Sequence, residues 1–421
     1  MTIDVAIIGA GPAGCAAGIT LARRGLDVTV VDKATFPRDK FCGDGLTVGA
    51  LRLLEDLGFD PADVPSWHPV TDVWVRSPGG RDVRFPLPDG PGQFAVVARR
   101  RELDAALVDL TRRAGVTVCE GHKLVGATQD AELVTLEVEA PDGERTTLEA
   151  RYVIGADGMW SPLRRQLGLD TPGYRGEWHA FRQYVHGVSP AAARDLWVMF
   201  EPDLLPGYFW SFPVGDGDAN IGFGIVRGGR VTPHDMRQRW PDLLARPHIR
   251  ALLGPDAELE DSHRAWPIPT RIDDVVLADG RVLFVGDAAA AADPMTGEGI
   301  GQALATGTWA AEAILGAGGS GGSMGAGIAA GAGGDPLAVS RRYEATVRRE
   351  MVADHRFGRL LGDALGSRAG ASAAIALGGL TPWTRRNFAR WLFEDYPRAT
   401  VLTPRRWSRS VFASDGAYVG R

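Results

Sequence analysis

Val5-Ala6-Ile7-Ile8-Gly9-Ala10-Gly11-Pro12-Ala13-Gly14 carries this 421-residue chain from an apolar run straight into a glycine turn. Four consecutive apolar residues read as a parallel strand covered on both faces. Cys15 to Arg24 reads as helix, with Leu21 and Ala22 on one side, and Val28-Thr29-Val30-Val31 as a second strand ending at Asp32. Strand, turn, helix, strand and acid follow in the order that a dinucleotide-phosphate turn requires. Gly9 allows the tight turn, Gly11 lets the backbone approach a pyrophosphate, and Gly14 lets helix pack on strand. The helix N-terminus, at Pro12 and Ala13, offers free N–H groups and a favourable dipole to negative charge. Asp32 is placed to accept from the adenosine ribose, with Lys33 beside it. Gly316-Ala317-Gly318-Gly319-Ser320-Gly321 has the same spacing, but no strand feeds it and it lies in low-complexity sequence. It is set aside as a ligand turn.

Two more strand-end turns lie far along the chain. Tyr152-Val153-Ile154 runs into Gly155-Ala156-Asp157-Gly158-Met159-Trp160-Ser161, and Val282-Leu283-Phe284-Val285 runs into Gly286-Asp287, then on to Gly297-Glu298-Gly299. One such turn is ordinary. Three in this order make the walls of one site for a large, bent, anionic cofactor, FAD. The expected fold is α/β, a Rossmann-like FAD-binding domain interleaved with an antiparallel β-sheet substrate domain, plus a C-terminal helical segment. Residues 1–72, 97–170 and 270–315 are expected in the first domain and 73–96 and 171–269 in the second. Residues 316–336, almost pure Gly, Ala and Ser at their centre, read as a linker, and 337–421 as a basic helical segment.

The pattern Gly155-x-Asp157-Gly158-x-x-Ser161-x-x-Arg164 resembles the second fingerprint of flavoproteins related to aromatic hydroxylases, halogenases and geranylgeranyl reductases. That resemblance implies that Asp287 holds the ribityl chain. It also implies that the helix after Gly299, beginning at Ile300, aims its positive end at the flavin pyrimidine. Arg99-Arg100-Arg101-Glu102-Leu103-Asp104 is similar to another segment of these flavoproteins, with Arg100 as the cofactor contact; Arg99 and Arg101 read as solvated helix charges. Pro37-Arg38-Asp39-Lys40-Phe41-Cys42-Gly43-Asp44-Gly45-Leu46 resembles the P-R-x-K-x-C-G-x-G-L signature of geranylgeranyl reductases. Tyr208-Phe209-Trp210-Ser211-Phe212-Pro213 with Asn220-Ile221-Gly222-Phe223-Gly224 resembles the same family's Y-x-W-x-F-P…N-[VI]-G-x-G. Pro294-Met295-Thr296-Gly297-Glu298-Gly299-Ile300 resembles its P-x-[TN]-G-E-G-I.

The likeness runs from residue 1 to about 315, and the stretch from Arg386 to Trp407 is similar to actinobacterial members. It implies an FAD-dependent reductase that saturates C=C bonds of a geranylgeranyl or menaquinone chain, with NAD(P)H or another reductant as electron donor. An oxygen-using monooxygenase or halogenase is the first alternative. Against it, Ala290 stands where hydroxylases carry His, Glu298-Gly299-Ile300-Gly301 departs from their Gln-Gly-x-Asn, and no lysine lies between Lys40 and Lys123 to serve as a halogenase lysine. A non-catalytic lipid or quinone carrier is the second alternative, and the intact phosphate turn argues against it.

Tyr208, Trp210 and Phe212 share one face of a strand. They either line a dry slot for an apolar chain or fill the sheet's core; Pro213 and the family likeness favour the slot. Cys42, with Gly43 and Gly45 allowing close approach, either meets substrate and flavin or is a small buried hydrophobe. A thiol in an apolar slot keeps its proton. Cys42 or Tyr208 is expected on the proton route, with Trp210 completing the catalytic set.

Three cysteines, Cys15, Cys42 and Cys119, fit a reducing cytosol without disulfides, and no secretory leader is apparent. No apolar run is long enough to span a membrane. The chain carries −6 overall, yet from Leu337 onward there are 15 Arg against 7 Asp and Glu. This basic segment, with Trp383, Phe388, Trp391 and Trp407, either makes peripheral contact with anionic lipid or packs on the cofactor domain; packing is favoured. The acidic remainder, nearly free of lysine, argues against nucleic acid. No metal site is expected.

Overall fold

The structure is a computed structural model and describes residues 2–229, 231–260, 263–316, 335–404 and 415–420. Most of the expected Gly/Ala/Ser-rich linker, and Trp407, lie outside the described residues.

Hydrophobic runs without alternation form the first sheet because both of its faces are covered. Its order is Ala278–Asp279, Val282–Phe284, Arg145–Gly155, Thr2–Ile8, Val28–Asp32 and Thr117–Glu120, with the hairpin strands Val134–Glu139 and Lys123–Gln129 added on Arg145–Gly155. The central pairings are parallel, and their register decides the site. Ile8 pairs with Val31 on one side and Gly155 on the other, and Gly155 pairs with Phe284. Three turns separated by more than a hundred residues each therefore leave the sheet at one level and one edge.

The second sheet runs Glu258–Leu259, Trp178–His186, Asp218–Val226, Tyr208–Gly215, Leu196–Met199, Asp72–Arg76 and Asp82–Pro86, with Arg264–Ile268 also on Trp178–His186. Its pairings are antiparallel except that Leu196–Met199 runs parallel to Asp72–Arg76. That exception arises where a hairpin from the N-terminal part of the chain inserts beside a strand from the middle. The helices Pro336–Val347, Ala353–Leu365, Arg368–Gly378 and Pro382–Leu392 follow. They do not stand apart: Tyr343 is buried against the first sheet, its hydroxyl donating to the Phe284 carbonyl at 2.7 Å. Phe388 packs on Phe85 of the second sheet at 4.6 Å between ring centres.

Candidate FAD and substrate site

Backbone geometry explains the first glycines. Gly9 has φ +107°, and a Cβ there would stand 2.3 Å from the Ala156 carbonyl oxygen; one on Gly14 would stand 1.9 Å from that of Gly9. Around Gly11 space is open, with only the Arg38 guanidinium within 4 Å, at 3.9 Å. A turn closed by two glycines and left open at the third, beside a cation, suits an approaching pyrophosphate. Asp32 holds the turn from the next strand, accepting from Ala10 N–H at 2.7 Å and Ala34 N–H at 2.8 Å.

The second turn is tied to the third by Arg164. Its Nε donates to the Ala288 carbonyl at 2.6 Å, another guanidinium nitrogen donates to Val276 at 2.6 Å, and the group lies 3.9 Å over the Phe284 ring. Burial lowers its pKa to about 10, so it stays charged at neutral pH. Asp157 accepts from Leu163 N–H at 2.9 Å through one oxygen. Its other oxygen is buried with no partner among the described residues, and burial raises its pKa. An orphaned acceptor at the mouth of a phosphate turn is what a missing hydroxylated ligand would satisfy.

All of this opens on one cavity of about 1120 Å³. Gly9, Gly11, Pro12, Ala13, Asp32, Lys33, Arg38, Cys42, Gly43, Arg100, Asp157, Gly158, Gly286, Asp287, Gly297, Gly299 and Ile300 line it, as do Tyr208, Trp210 and Phe212. Two expected residues do not. Gly14 serves packing beneath the turn, and Pro213 points away from the cavity on the opposite strand face, as the period of two requires. The residues present fit FAD: three converging turns, an open Gly11, an adjacent guanidinium and an unpartnered acceptor.

Arg100 is bound to Asp104 by a fork of 2.7 and 2.9 Å, and Arg38 joins the same carboxylate at 3.0 Å. Two guanidiniums on one carboxylate leave a net positive charge beside the turn. Arg99 corrects its sequence reading. It is not solvated but pairs with Asp218 at 2.8 Å and lies over Tyr184 at 4.7 Å, whereas Arg101 is exposed.

Cys42 sits on a network that sequence reasoning missed. Asn220 donates to the Cys42 carbonyl at 2.9 Å and to Asp44 at 2.8 Å, and accepts from Trp210 Nε1 at 3.0 Å. Asp44, buried at φ +67°, also accepts from Tyr184 O–H at 2.6 Å. Burial raises the Cys42 thiol despite the nearby Arg100, so it stays protonated at neutral pH. Gly222 makes room for the Trp210 indole, since a Cβ there would meet it at 2.3 Å. Asn220 and Gly222 were visible as motif letters; their partners were not. Tyr208 donates its hydroxyl proton to the Thr296 carbonyl of the third turn.

The apolar end of the cavity is closed by Phe200, Phe357, Leu361, Ile375, Phe388 and Trp391. Packing of the C-terminal helices on the protein was the favoured expectation; what the structure adds is that their inner faces form a cavity wall. Cavity-lining and core residues carry the same apolar signature in sequence, which is why the two were not separated. Among the described residues no cluster of His, Cys, Asp and Glu is placed to hold a metal.

Residues 2–315 match the family described as an FAD binding domain. The chain is 36% identical over 340 residues to menaquinone reductase of Mycobacterium tuberculosis, covering 74% of this chain and 76% of that protein. It is 31% identical to digeranylgeranylglycerophospholipid reductase 1 of Methanopyrus kandleri, covering 75% and 81%. The fold is shared with a geranylgeranyl bacteriochlorophyll reductase-like protein from Thermoplasma acidophilum, with a TM-score of 0.76 at 20% identity over 96% of this chain and 99% of that one. The chain belongs to the FAD-binding oxidoreductase family whose members include these prenyl-chain reductases.

Proposed function

We propose that this protein is an FAD-dependent reductase that saturates carbon–carbon double bonds of an isoprenoid chain, a geranylgeranyl group or the side chain of a menaquinone. One observation carries the reading: the cofactor turns and an aromatic, helix-closed slot are two ends of the same cavity. FAD bound there supplies a hydride to one alkene carbon, after reduction by NAD(P)H or another donor. The chain's own residues do the rest. Gly11 and the helix N-terminus at Pro12 and Ala13 receive the pyrophosphate, with Arg38 and Arg100 neutralising its charge. Asp32 and Lys33 would hold the ribose and Asp287 the ribityl chain, and Gly297 and Gly299 would lie at the isoalloxazine end. Trp210, locked by Asn220, and Tyr208, locked by Thr296, fix the aromatic row with Phe212 so that an apolar chain lies dry beside the flavin. Cys42 stands protonated at the same end. Residues 1–72, 97–170 and 270–315 are the cofactor half and 73–96 and 171–269 the substrate half, with the helices Ala353–Leu365, Arg368–Gly378 and Pro382–Leu392 of the segment 337–421 closing the slot.

In the absence of oxygen, the purified protein with dithionite should add two hydrogens per reduced bond to prenyl lipids, read by mass. A requirement for oxygen would favour the hydroxylase or halogenase chemistry instead. Narrowing the far wall tests the slot directly: Leu361→Trp should reduce turnover of the longest prenyl chains about tenfold or more while sparing short ones. Equal loss on all lengths would place the chain elsewhere.

The same helices support peripheral membrane contact. Leu360, Leu377, Leu380 and Trp383 are 62–66% exposed while their neighbours line the slot, and Arg368 and Arg386 are exposed nearby. Exposed apolar side chains on helices that also carry exposed arginines suit an anionic bilayer surface. Replacing Leu377, Leu380 and Trp383 by Ser should abolish co-sedimentation with anionic vesicles, and unchanged sedimentation would remove this face from the account. Among the described residues no helix is long and apolar enough to cross a membrane.

A further inference from the structure

The C-terminal segment brings a second acid to the cavity. Glu394 stands at φ +60° just beyond the helix Pro382–Leu392. Its two oxygens accept from Gln302 Nε2 at 2.7 Å and Thr47 Oγ1 at 2.8 Å. One of them lies 3.5 Å from where a Cβ would stand on Gly301, the second residue of the helix Ile300–Leu315. Glu298 caps that same helix end: its Oε1 accepts from Ile300 N–H at 2.9 Å and Gly301 N–H at 3.2 Å. Asp293 is the third carboxyl of the cluster. Against these three stands Arg398, which donates to Asp293 at 2.8 Å and lies 3.6 Å from Glu394. His355 faces Asp293, but burial lowers its pKa, so it is neutral, and Tyr208 adds no charge. Three carboxyls facing one cation, Asp293 buried and Glu298 and Glu394 half-buried, cannot all be ionised without a large cost.

The hydrogen bonds say which one keeps a proton. Asp293 accepts from Met295 N–H, Thr296 N–H, Thr296 Oγ1 and Arg398, all at 2.7–2.9 Å. Both oxygens of Glu394 have donors. Glu298 Oε2 is buried with no partner among the described residues, and a bare anionic oxygen there is the costliest of the three. The direction of its titration agrees: burial, then the neighbouring Glu394, push Glu298 up, and Glu394, also raised by burial, is held down by Arg398, Thr47 and Gln302. Glu298 lines the cavity beside Tyr208, Thr296 and Gly297.

We propose that Glu298 is the acid that completes the double-bond reduction, with Glu394 as the positioning residue that keeps it protonated. This rests on the reductase reading above. One alkene carbon takes the hydride, with its electron pair, from reduced FAD. The O–H bond of Glu298 breaks, its proton bonds to the other carbon, and the carboxylate regains a proton from water once product leaves. Tyr208 directs its O–H to the Thr296 carbonyl, and burial raises the Cys42 thiol, so neither is as ready to donate.

The test is anaerobic single turnover of dithionite-reduced holoenzyme with a prenyl lipid across pH. The wild-type rate is expected to hold at low pH and to fall only well above the usual carboxylate range, where Glu298 loses its proton. Glu394→Gln removes the charge that holds that proton, so the fall moves to lower pH. Glu298→Gln loses the fall and slows turnover about 10²–10⁴-fold, with reduction of bound FAD by dithionite unchanged. Infrared spectra of substrate-free holoenzyme give an independent reading: a carboxylic-acid carbonyl band at neutral pH that disappears with rising pH and is missing in Glu298→Gln. A Glu298→Gln rate within about twofold of wild type, an unmoved pH limb in Glu394→Gln, or no such band overturns the assignment. Should Glu298→Gln fail to bind FAD, the Glu394→Gln limb decides. A wild-type protein that reduces no prenyl lipid overturns the reductase reading, and the donor role with it, even where the band titrates as expected.

Discussion

Gly9→Ala should yield a colourless protein that has lost FAD. The residue sits at φ +107°, where an L side chain is strained, and its new methyl would meet the Ala156 carbonyl oxygen at 2.3 Å, its carbon at 2.7 Å and Asp157 Cα at 3.1 Å. These are backbone atoms of the second turn and cannot swing aside. Relief requires parting the strands Thr2–Ile8 and Arg145–Gly155 where their ends form the cofactor edge. Strain and overpacking together cost about 3–5 kcal/mol. If half of that falls on the bound state, FAD affinity drops roughly 10- to 70-fold, and further if all of it does. Flavin absorbance after gel filtration measures it. Gly11→Ala separates ligand from fold: with nothing nearer than Arg38 at 3.9 Å, its melting temperature without FAD should match wild type while FAD binding falls. Wild-type FAD binding by Gly11→Ala would mean that the pyrophosphate does not approach there.

Arg398→Ala should be the most destabilising change in the C-terminal segment. The guanidinium is buried, its side chain 2% exposed, between Asp293 and Glu394, and also reaches the Trp391 and Leu392 carbonyls at 3.3 and 3.4 Å. Removing it leaves buried carboxyls facing one another, a change that typically costs about 3–5 kcal/mol. The pH dependence has a definite sign. In the wild type burial pushes Asp293 up, but Arg398 and the Thr296 donors bring it below the usual carboxylate range. It therefore contributes stability above its unfolded pKa, near 3.9, which is lost as pH falls below that. Without Arg398 the folded pKa rises, so the carboxyl destabilises near neutrality and the deficit shrinks as pH falls toward about 5. Thermal melts of both proteins across that range check it. A deficit that grows with acidity would show that Arg398 does not neutralise this cluster.

The cofactor half of the site was legible because phosphate turns demand particular residues in a particular order. Gly9, Gly11 and Asp32 announce themselves by strand, turn and acid, and the strand register then joins them to Gly155 and Phe284. The aromatic row was half legible: a period of two put Tyr208, Trp210 and Phe212 on one face, but not what that face meets. The same period left Pro213 on the other side, which the sequence reading had grouped with them. Arg99 looked solvated because its partner, Asp218, lies over a hundred residues away. Glu298 was read as a motif letter and Glu394 not at all. Their pairing needs the fold, because a lone Glu after a Trp-rich helix has the appearance of a surface charge. Phe357, Leu361 and Ile375 likewise carry the pattern of packed helices, and only the cavity they enclose distinguishes wall from core.

The most direct test of a shared cavity is anaerobic: reduced holoenzyme mixed with a prenyl lipid, flavin absorbance followed in time, product then weighed. Oxidised flavin should return without oxygen, one flavin for each double bond saturated, and Leu361→Trp should slow this return only for long chains. Flavin that stays reduced until oxygen is admitted would contradict the shared cavity.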